Sequence, residues 1–148
     1  MTALLILLTI LLVLVNAFFV VGEYALVRSR KGRLQEMADE GNRGARLAVR
    51  SIDEIGDYIA ACQIGITMAS LGIGALGEPT IAHALEHAFG GELGHAAALV
   101  ISVILSYLLI TVFQSIVGEI APKLYTIQHA ERVACVTARP LHMARVLF

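Results

Sequence analysis

Charged residues are distributed unevenly along the chain and leave three long uncharged runs. These runs are Met1–Gly22, Tyr58–Gly77 and Ala96–Gly118. A helix needs roughly 20 apolar residues to cross the hydrocarbon core of a bilayer, which is about 30 Å thick. The pattern therefore predicts an all-α membrane protein formed as one domain. Its transmembrane spans are expected at about residues 3–27, 58–77 and 96–118, within a single domain over 1–148.

The first run has an alternative interpretation as a cleaved signal peptide. A signal peptide has a basic start and an apolar stretch of about 7–15 residues. No Lys or Arg precedes Glu23, and the apolar run here is longer. We therefore favour a retained span.

The basic residues predict the orientation of the spans. Seven Lys/Arg lie in Arg28–Asp57, none lies in Glu78–His95, and four follow Glu119. Short cytoplasmic segments carry the excess of Lys and Arg. The N-terminus is thus predicted to lie outside, and the C-terminus in the cytoplasm.

Three connecting segments show their own periodicity. Residues 31–50 read as two short helices with a turn at Gly41-Asn42. Pro79 suits the first turn of a separate amphipathic helix in the outer loop, before glycines at 90, 91 and 94. The tail over about 124–148 predicts a juxtamembrane helix that is interrupted or kinked at Pro140.

Composition supports the membrane class and excludes others. Hydrophobic residues make up 57% of the chain and charged residues 16%, against about 45–50% and about 25% in a soluble domain. The net charge of −1 disfavours nucleic acid as a partner. Cys62 and Cys135 are interpreted as small hydrophobes. No nucleophile–base pair or HExxH motif is present, so we do not expect an enzyme.

Polar residues inside the spans are the candidates for chemistry, because such residues are costly in a membrane. At about 1.5 Å rise per residue, Asn16 and Ser70 meet near mid-membrane, while Glu23 and Glu119 lie closer to the cytoplasm. Other polar positions in the spans are Gln63, Thr67, Ser102, Ser106, Thr111, Gln114 and Ser115.

This set offers only hard oxygen ligands, which suit Mg²⁺, Ca²⁺ or Na⁺ better than zinc or copper. The competing interpretation is that Asn16, Ser70 and their neighbours only join helices by hydrogen bonds. For Glu23 and Glu119 the competing interpretation is interfacial pairing beside Arg28 and Lys123. His83 and His87 have a metal-ligand spacing, but we favour a solvated face.

Glycine and proline leave further alternatives open. The glycines at 72, 74 and 77 either allow a close helix contact or unwind the helix to expose carbonyl oxygens. Pro122 is expected to end or kink the third span, and it leaves the carbonyl of Gly118 without its i+4 donor. Ala98, Ser102 and Ser106 form a small-residue row that predicts a packing face, within or between protomers.

Three stretches together resemble the transmembrane domain of the CNNM/CorC magnesium transporters, the hemolysin-like proteins of bacteria. They are Val15–Arg30, which begins Val-Asn-Ala-Phe-Phe and is followed by Arg33-Leu34; Gln63–Pro79; and Gly118-Glu-Ile-Ala-Pro-Lys123. The resemblance covers essentially the whole chain. It implies three transmembrane helices, short cytoplasmic helices, a juxtamembrane helix and a homodimer.

The resemblance also implies a function and a site. Family members move Mg²⁺ out of the cytoplasm, coupled to inward Na⁺, across the cell membrane, here a bacterial inner membrane. The metal-binding positions it implies are Asn16, Ser70, Gly118 and Glu119, with Glu23 and Gly72 as additional candidates. The alternative function is a membrane-embedded cation sensor or scaffold that does not transport. Relatives carry a cytoplasmic CBS-pair module that binds adenine nucleotide. We expect that module in the full-length protein but not within these residues, so ATP would act only through it.

Overall fold

Helices make up almost all of residues 2–89 and 95–147, which are the residues that this computed structural model of the protein describes. No strand occurs in those two ranges, so the predicted all-α fold is confirmed. In chain order, the elements are α1 Thr2–Arg28, α2 Lys31–Asp39, α3 Arg43–Asp53, α4 Ile55–Phe89, α5 His95–Phe113, a π-helical segment Gln114–Ile120, α6 Ala121–Gln128 and α7 Ala130–Leu147.

Three of these helical stretches are long and apolar enough to cross a membrane. They are Ala3–Arg28, Ile55–Ala88 and Ala96–Gln128, with mean hydropathies of 3.1, 1.7 and 2.5. The last of them runs without a break from α5 through the π-helical segment into α6, and we call it the third helix. α1 packs against α4 and against the second half of the third helix, and α4 packs against α5. The protein is therefore a bundle of three membrane-spanning helices with shorter helices at one end.

α4 is longer than the span predicted from sequence. It continues through Pro79 to Phe89, so the amphipathic helix predicted in the outer loop is the last part of α4 and not a separate element. Pro79 has no N–H, so only the carbonyl of Ala75 loses its usual donor four residues later, and the helix continues on both sides. The predicted glycine break at 90, 91 and 94 lies outside the described residues.

The glycines of α4 allow close contacts, and the helix does not unwind. A Cβ atom on Gly77 would lie 2.4 Å from Cδ1 of Ile110 and 3.0 Å from Cγ2 of Thr9. A Cβ atom on Gly65 would lie 2.5 Å from the ring of Phe19. The alternative in which the glycines at 72, 74 and 77 unwind the helix was therefore wrong, since α4 is continuous and both Gly72 and Gly77 lie at close contacts with neighbouring helices.

The small-residue row of α5 is buried within the protomer. Ala98, Ser102 and Ser106 are each at most 1% exposed. α5 packs mainly against α4, so this row is the contact face between the two helices. The prediction of a packing face is confirmed, with both partners inside one chain.

α2, α3 and α7 pack together beside the last turns of α1, and we call this the α7 end of the bundle. Its core is made largely of alanines, including Ala45, Ala48, Ala134 and Ala138. Gly41, with φ +97°, forms the turn between α2 and α3, and the Asn42 side chain accepts a hydrogen bond from the N–H of Ala45 at 3.1 Å. The two predicted short helices are thus confirmed. The opposite end of the bundle is called the far end.

The C-terminal helical segment is interrupted at a different residue from the one predicted. α6 ends at Gln128 and α7 starts at Ala130, with His129 between them. α7 then continues through Pro140 to Leu147, so the predicted interruption at Pro140 does not occur. The lost donor of Pro140 is tolerated because α7 is anchored on both sides of it: Ala138 and Leu141 are buried against neighbouring helices.

Candidate ion site in the helix bundle

A buried polar network joins the three spanning helices near the middle of α1. The amide of Asn16, which is 0% exposed, donates from Nδ2 to the backbone oxygen of Gly118 at 3.1 Å. Its Oδ1 accepts from the hydroxyl of Ser70 at 3.4 Å. Gln114 Nε2 donates to that hydroxyl oxygen at 2.8 Å. We call these four residues the Asn16 network, and it confirms that Asn16 meets Ser70.

The sequence around Gly118 explains why its carbonyl oxygen is available to Asn16. Pro122 has no N–H, so the usual α-helical donor four residues after Gly118 does not exist. The helix widens here instead, and the N–H of Ala121 bonds to the oxygen of Ile116, five residues back. A Cβ atom on residue 118 would lie 3.0 Å from Nδ2 of Asn16, so glycine lets the amide approach. The third span does not end at Pro122, as one of the two expectations had it: the helix continues through a π-helical segment, a form frequent at functional sites.

The Asn16 network is uncharged, and its oxygens are occupied by donors. Oδ1 of Asn16 and Oγ of Ser70 each accept a hydrogen bond, and so does the Gly118 carbonyl. In this arrangement the network joins the three spanning helices by hydrogen bonds. A cation could use the same oxygens only after displacing the amide and hydroxyl donors.

A polar cleft lies next to the network, on its α7 side. Its volume is about 420 Å³. The cleft is lined by Val20, Glu23, Tyr24, Gln63, Ile66, Thr67, Glu119 and Lys123. Glu119 directly follows Gly118 of the network, and Glu23 lies about 10 Å along α1 from Asn16. Two carboxylates from different spanning helices therefore face one cavity.

Lys123 makes its contact in the cleft with an aromatic ring. Its ammonium nitrogen lies 4.3 Å from the ring centroid of Tyr24. Within the described residues, no hydrogen bond or ion pair within 4.0 Å joins Lys123 to Glu23 or Glu119. The cleft thus contains a positive charge that is not directly paired with its carboxylates.

The predicted site residues fall into three groups. Asn16, Ser70 and Gly118 belong to the network, while Glu23 and Glu119 line the cleft. Gly72 belongs to neither, since a Cβ atom there would lie 2.9 Å from Cδ1 of Leu12. It is therefore placed as a packing position between α4 and α1.

Several site residues were not selected from sequence. Gln114 was noted as a polar residue of the third span, and its position four residues before Gly118 was the available signal. Lys123 was considered only as an interfacial partner of Glu119. Tyr24 had no signal of its own, because an aromatic residue near a span end is ordinary in membrane proteins.

Two histidines near the end of α4 were considered as metal ligands from their spacing. His83 and His87 are both exposed and meet edge to face, with ring centroids 6.2 Å apart. Within residues 2–89 and 95–147, no group of three or more His, Cys, Asp or Glu side chains is placed to hold a metal ion.

A second polar cluster ties α7 to the start of α4. The Arg145 guanidinium pairs with Glu54 and with Asp57, at 2.9 Å from Nη2 to Oδ2 of the latter, and it lies 5.1 Å from the ring centroid of Tyr58. The Tyr58 hydroxyl is 2.8 Å from Nδ1 of His142. Nothing in the sequence indicated this pairing, because its partners lie some 90 residues apart.

These features define the protein as an integral membrane protein. Its described residues include three helices that can span a membrane and an open, oxygen-lined cleft between α1, α4 and the third helix. The sequence profile of the family described as "Cyclin M transmembrane N-terminal domain" matches residues 7–148. The chain belongs to this CNNM family, which is known as a Mg²⁺ transport family.

Individual relatives agree with this assignment. The chain is 41% identical over 135 residues to UPF0053 protein YhdP of Bacillus subtilis (strain 168), covering 88% of this chain and 30% of the relative. It is 40% identical over 137 residues to UPF0053 protein YhdT of the same organism, covering 92% and 30%. An uncharacterized protein of Mycobacterium tuberculosis, Rv1841c, is 32% identical over 135 residues, covering 91% and 38%. The chain thus spans about a third of the length of these relatives.

Proposed function

We propose that this chain is the ion-carrying membrane domain of a Mg²⁺ transporter that exports Mg²⁺ from the cytoplasm, coupled to Na⁺ influx. The observation that carries the proposal is the cleft of about 420 Å³ that receives Glu23 from α1 and Glu119 from the third helix. Carboxylate, amide and hydroxyl oxygens are the ligands that Mg²⁺ and Na⁺ take in proteins. Family membership supports the same cargo.

The size of the cleft fits an ion that keeps part of its water. Mg²⁺ dehydrates reluctantly and is usually held by one or two carboxylates together with several waters. A water molecule occupies about 30 Å³ in the liquid, so a volume of about 420 Å³ has room for the ion and its remaining waters beside the ligand side chains. We assign Glu23 and Glu119 as the first ligands, with Gln63 and Thr67 as neutral oxygen donors.

We propose the Asn16 network as a second binding position for the ion, which it would reach after the cleft. Its three oxygens become ligands when the ion displaces the donors that now occupy them. One helical turn further toward the far end, Val13, Ile73 and Ile110 form a buried apolar cluster across all three spanning helices. This apolar cluster supports a closed state of the proposed ion path, in which the ion cannot pass from Asn16 to the far end of the bundle.

The orientation follows from charge. We propose that the α7 end faces the cytoplasm, because the segment 28–57 holds seven Lys/Arg and the chain after Glu119 holds four, while 78–95 holds none. The carboxylate cleft then lies on the cytoplasmic side of the network, where exported Mg²⁺ would enter. The homodimer and a CBS-pair module outside these residues stay predictions from the resemblance.

Ion flux into or out of proteoliposomes tests the proposal. The wild-type chain should move Mg²⁺ under an imposed Na⁺ gradient, and Glu119→Gln and Glu23→Gln should each reduce the rate at least tenfold, because each removes a charge from the proposed cleft. Glu40→Gln is the matched control, since Glu40 is an exposed carboxylate at the end of α2 and away from the cleft. It should transport like the wild type.

Three outcomes would contradict parts of the proposal. Flux that is unchanged in both cleft variants would refute the site. Flux that ignores the Na⁺ gradient would refute the coupling. Measured Mg²⁺ binding without any flux would favour the sensor alternative over a transporter.

A further inference from the structure

Among the residues that the structure describes, Lys123 is the one basic side chain that lines the carboxylate cleft. Its ammonium lies over the face of the Tyr24 ring, 4.3 Å from the centroid, within the range of about 6 Å in which a cation is attracted to an aromatic face. Glu119 precedes it by four residues on the same helix, and Glu23 precedes Tyr24 on α1. The ammonium therefore lies between two carboxylate-bearing segments but rests on the ring.

We infer that Lys123 is a built-in counter-cation of the cleft and that Tyr24 holds it away from Glu23 and Glu119, which sets the affinity for the transported cation. This inference rests on the proposed function of the cleft. A free ammonium within reach of two carboxylates would pair with them, and such pairing is stronger at an effective dielectric of about 20 than in water. It would then compete directly with the incoming ion. The ring gives the ammonium a second favourable position and leaves the carboxylate oxygens open.

The net charge of the cleft indicates that Lys123 affects release of the bound divalent cation. With both carboxylates ionised and Lys123 protonated, the cleft carries a net charge of −1, and one divalent cation brings it to +1. Without Lys123 the same cleft carries −2 and is neutralised by the ion. An ion must bind strongly enough to enter and weakly enough to leave. Lys123 therefore lowers the affinity of the cleft for a divalent cation to a level that permits release. Tyr24 limits this loss of affinity, because it holds the ammonium away from the carboxylates.

The experiment measures Mg²⁺ affinity by titration of the purified wild-type chain and four variants. Tyr24→Leu removes the ring and should weaken Mg²⁺ binding by roughly two- to thirtyfold, the range expected from the strength of a cation–π contact. Tyr24→Phe is the conservative comparison, because it keeps the ring and the contact with Lys123, and it should retain more of the Mg²⁺ affinity than Tyr24→Leu. Lys123→Met should bind Mg²⁺ more tightly than the wild type.

The double variant Tyr24→Leu/Lys123→Met gives the decisive comparison. If Tyr24 acts only by holding Lys123, the double variant binds Mg²⁺ as Lys123→Met does. That result also shows that Leu at position 24 leaves the cleft folded. Equal weakening by Tyr24→Leu in both backgrounds, or no weakening in either, would overturn the inference while leaving the cleft as a Mg²⁺ site. A wild-type chain that binds no Mg²⁺ would overturn the proposed site and this inference together.

Discussion

The close approach of α3 to α7 makes Gly44 the glycine, among those that the structure describes, at which an added methyl group should be least tolerated. A Cβ atom there would lie 2.3 Å from the backbone oxygen of Cys135 and 3.0 Å from its carbonyl carbon. Both atoms belong to the main chain of α7, so no side-chain rotation relieves the clash. We therefore expect Gly44→Ala to push the two helices apart.

The size of the effect follows from that distance. Ordinary contact begins at 3.4 Å, so α3 and α7 must separate by about 1.1 Å along this direction. The alanines around this contact, Ala45, Ala48, Ala134 and Ala138, are each 4% exposed or less and have no long side chains that could fill the gap. Overpacking of this kind costs about 1–3 kcal/mol.

Gly32→Ala is the matched control, because nothing lies within 4 Å of a Cβ atom at that position of α2. It gains the helix propensity of alanine, about 1 kcal/mol, without the clash. Gly44 also lies in a helix and gains the same propensity, so the two variants differ by the cost of the clash, about 1–3 kcal/mol. Thermal unfolding in detergent, followed by circular dichroism, should therefore place Gly44→Ala about 2–12 °C below Gly32→Ala, at about 2–4 °C per kcal/mol for a chain of this size. A Gly44→Ala protein as stable as Gly32→Ala would refute the packing argument.

Three further predictions concern the α7 end. Arg145→Gln removes the ion pairs of the last turns of α7 with α4, including that with Asp57, so amide hydrogen exchange in residues 141–147 should accelerate; unchanged exchange would show that the pairs do not hold α7. The pKa of Glu131 is lowered by a hydrogen bond from its own backbone N–H and by Arg30. Its stabilisation of α7 is therefore present above the unfolded value of 4.5 and is lost as the pH falls through the lowered pKa, and Glu131→Gln should flatten this acid dependence of unfolding. Burial raises the pKa of the Cys135 thiol, so maleimide should label it slowly at pH 7 and faster as the pH rises, whereas fully buried Cys62 should stay unlabelled at both pH values.

The spans and the turn of the α7 end could be predicted because their signals are local. Long uncharged runs have few alternatives to a membrane helix. Gly41-Asn42 combines a left-handed glycine with a helix-capping side chain, and both act within a few residues. The meeting of Asn16 with Ser70 was predictable as well, because helical rise alone places both at the same depth.

The remaining features depend on neighbours that the sequence does not place. Pro79, Pro122 and Pro140 were each expected to end, break or start a helix, yet helices continue through all three. A missing donor costs little where a side chain or a neighbouring helix compensates, as the Asn16 amide does at Gly118. The ion pairs of Arg145 likewise join distant parts of the chain, which no local pattern reveals.

The Asn16 amide has a mechanical consequence for the whole bundle. One small planar group holds α4 through Ser70 and the third helix through Gly118, at a single level. Sliding by one helical turn, 5.4 Å, would break both bonds, whereas tilting about this level strains them little. The level lies about 18 Å from the end of α1, so a tilt of about 5° displaces that end by about 1.6 Å. Helices that tilt about the level of Asn16 would therefore move together on one side of that level as they move apart on the other.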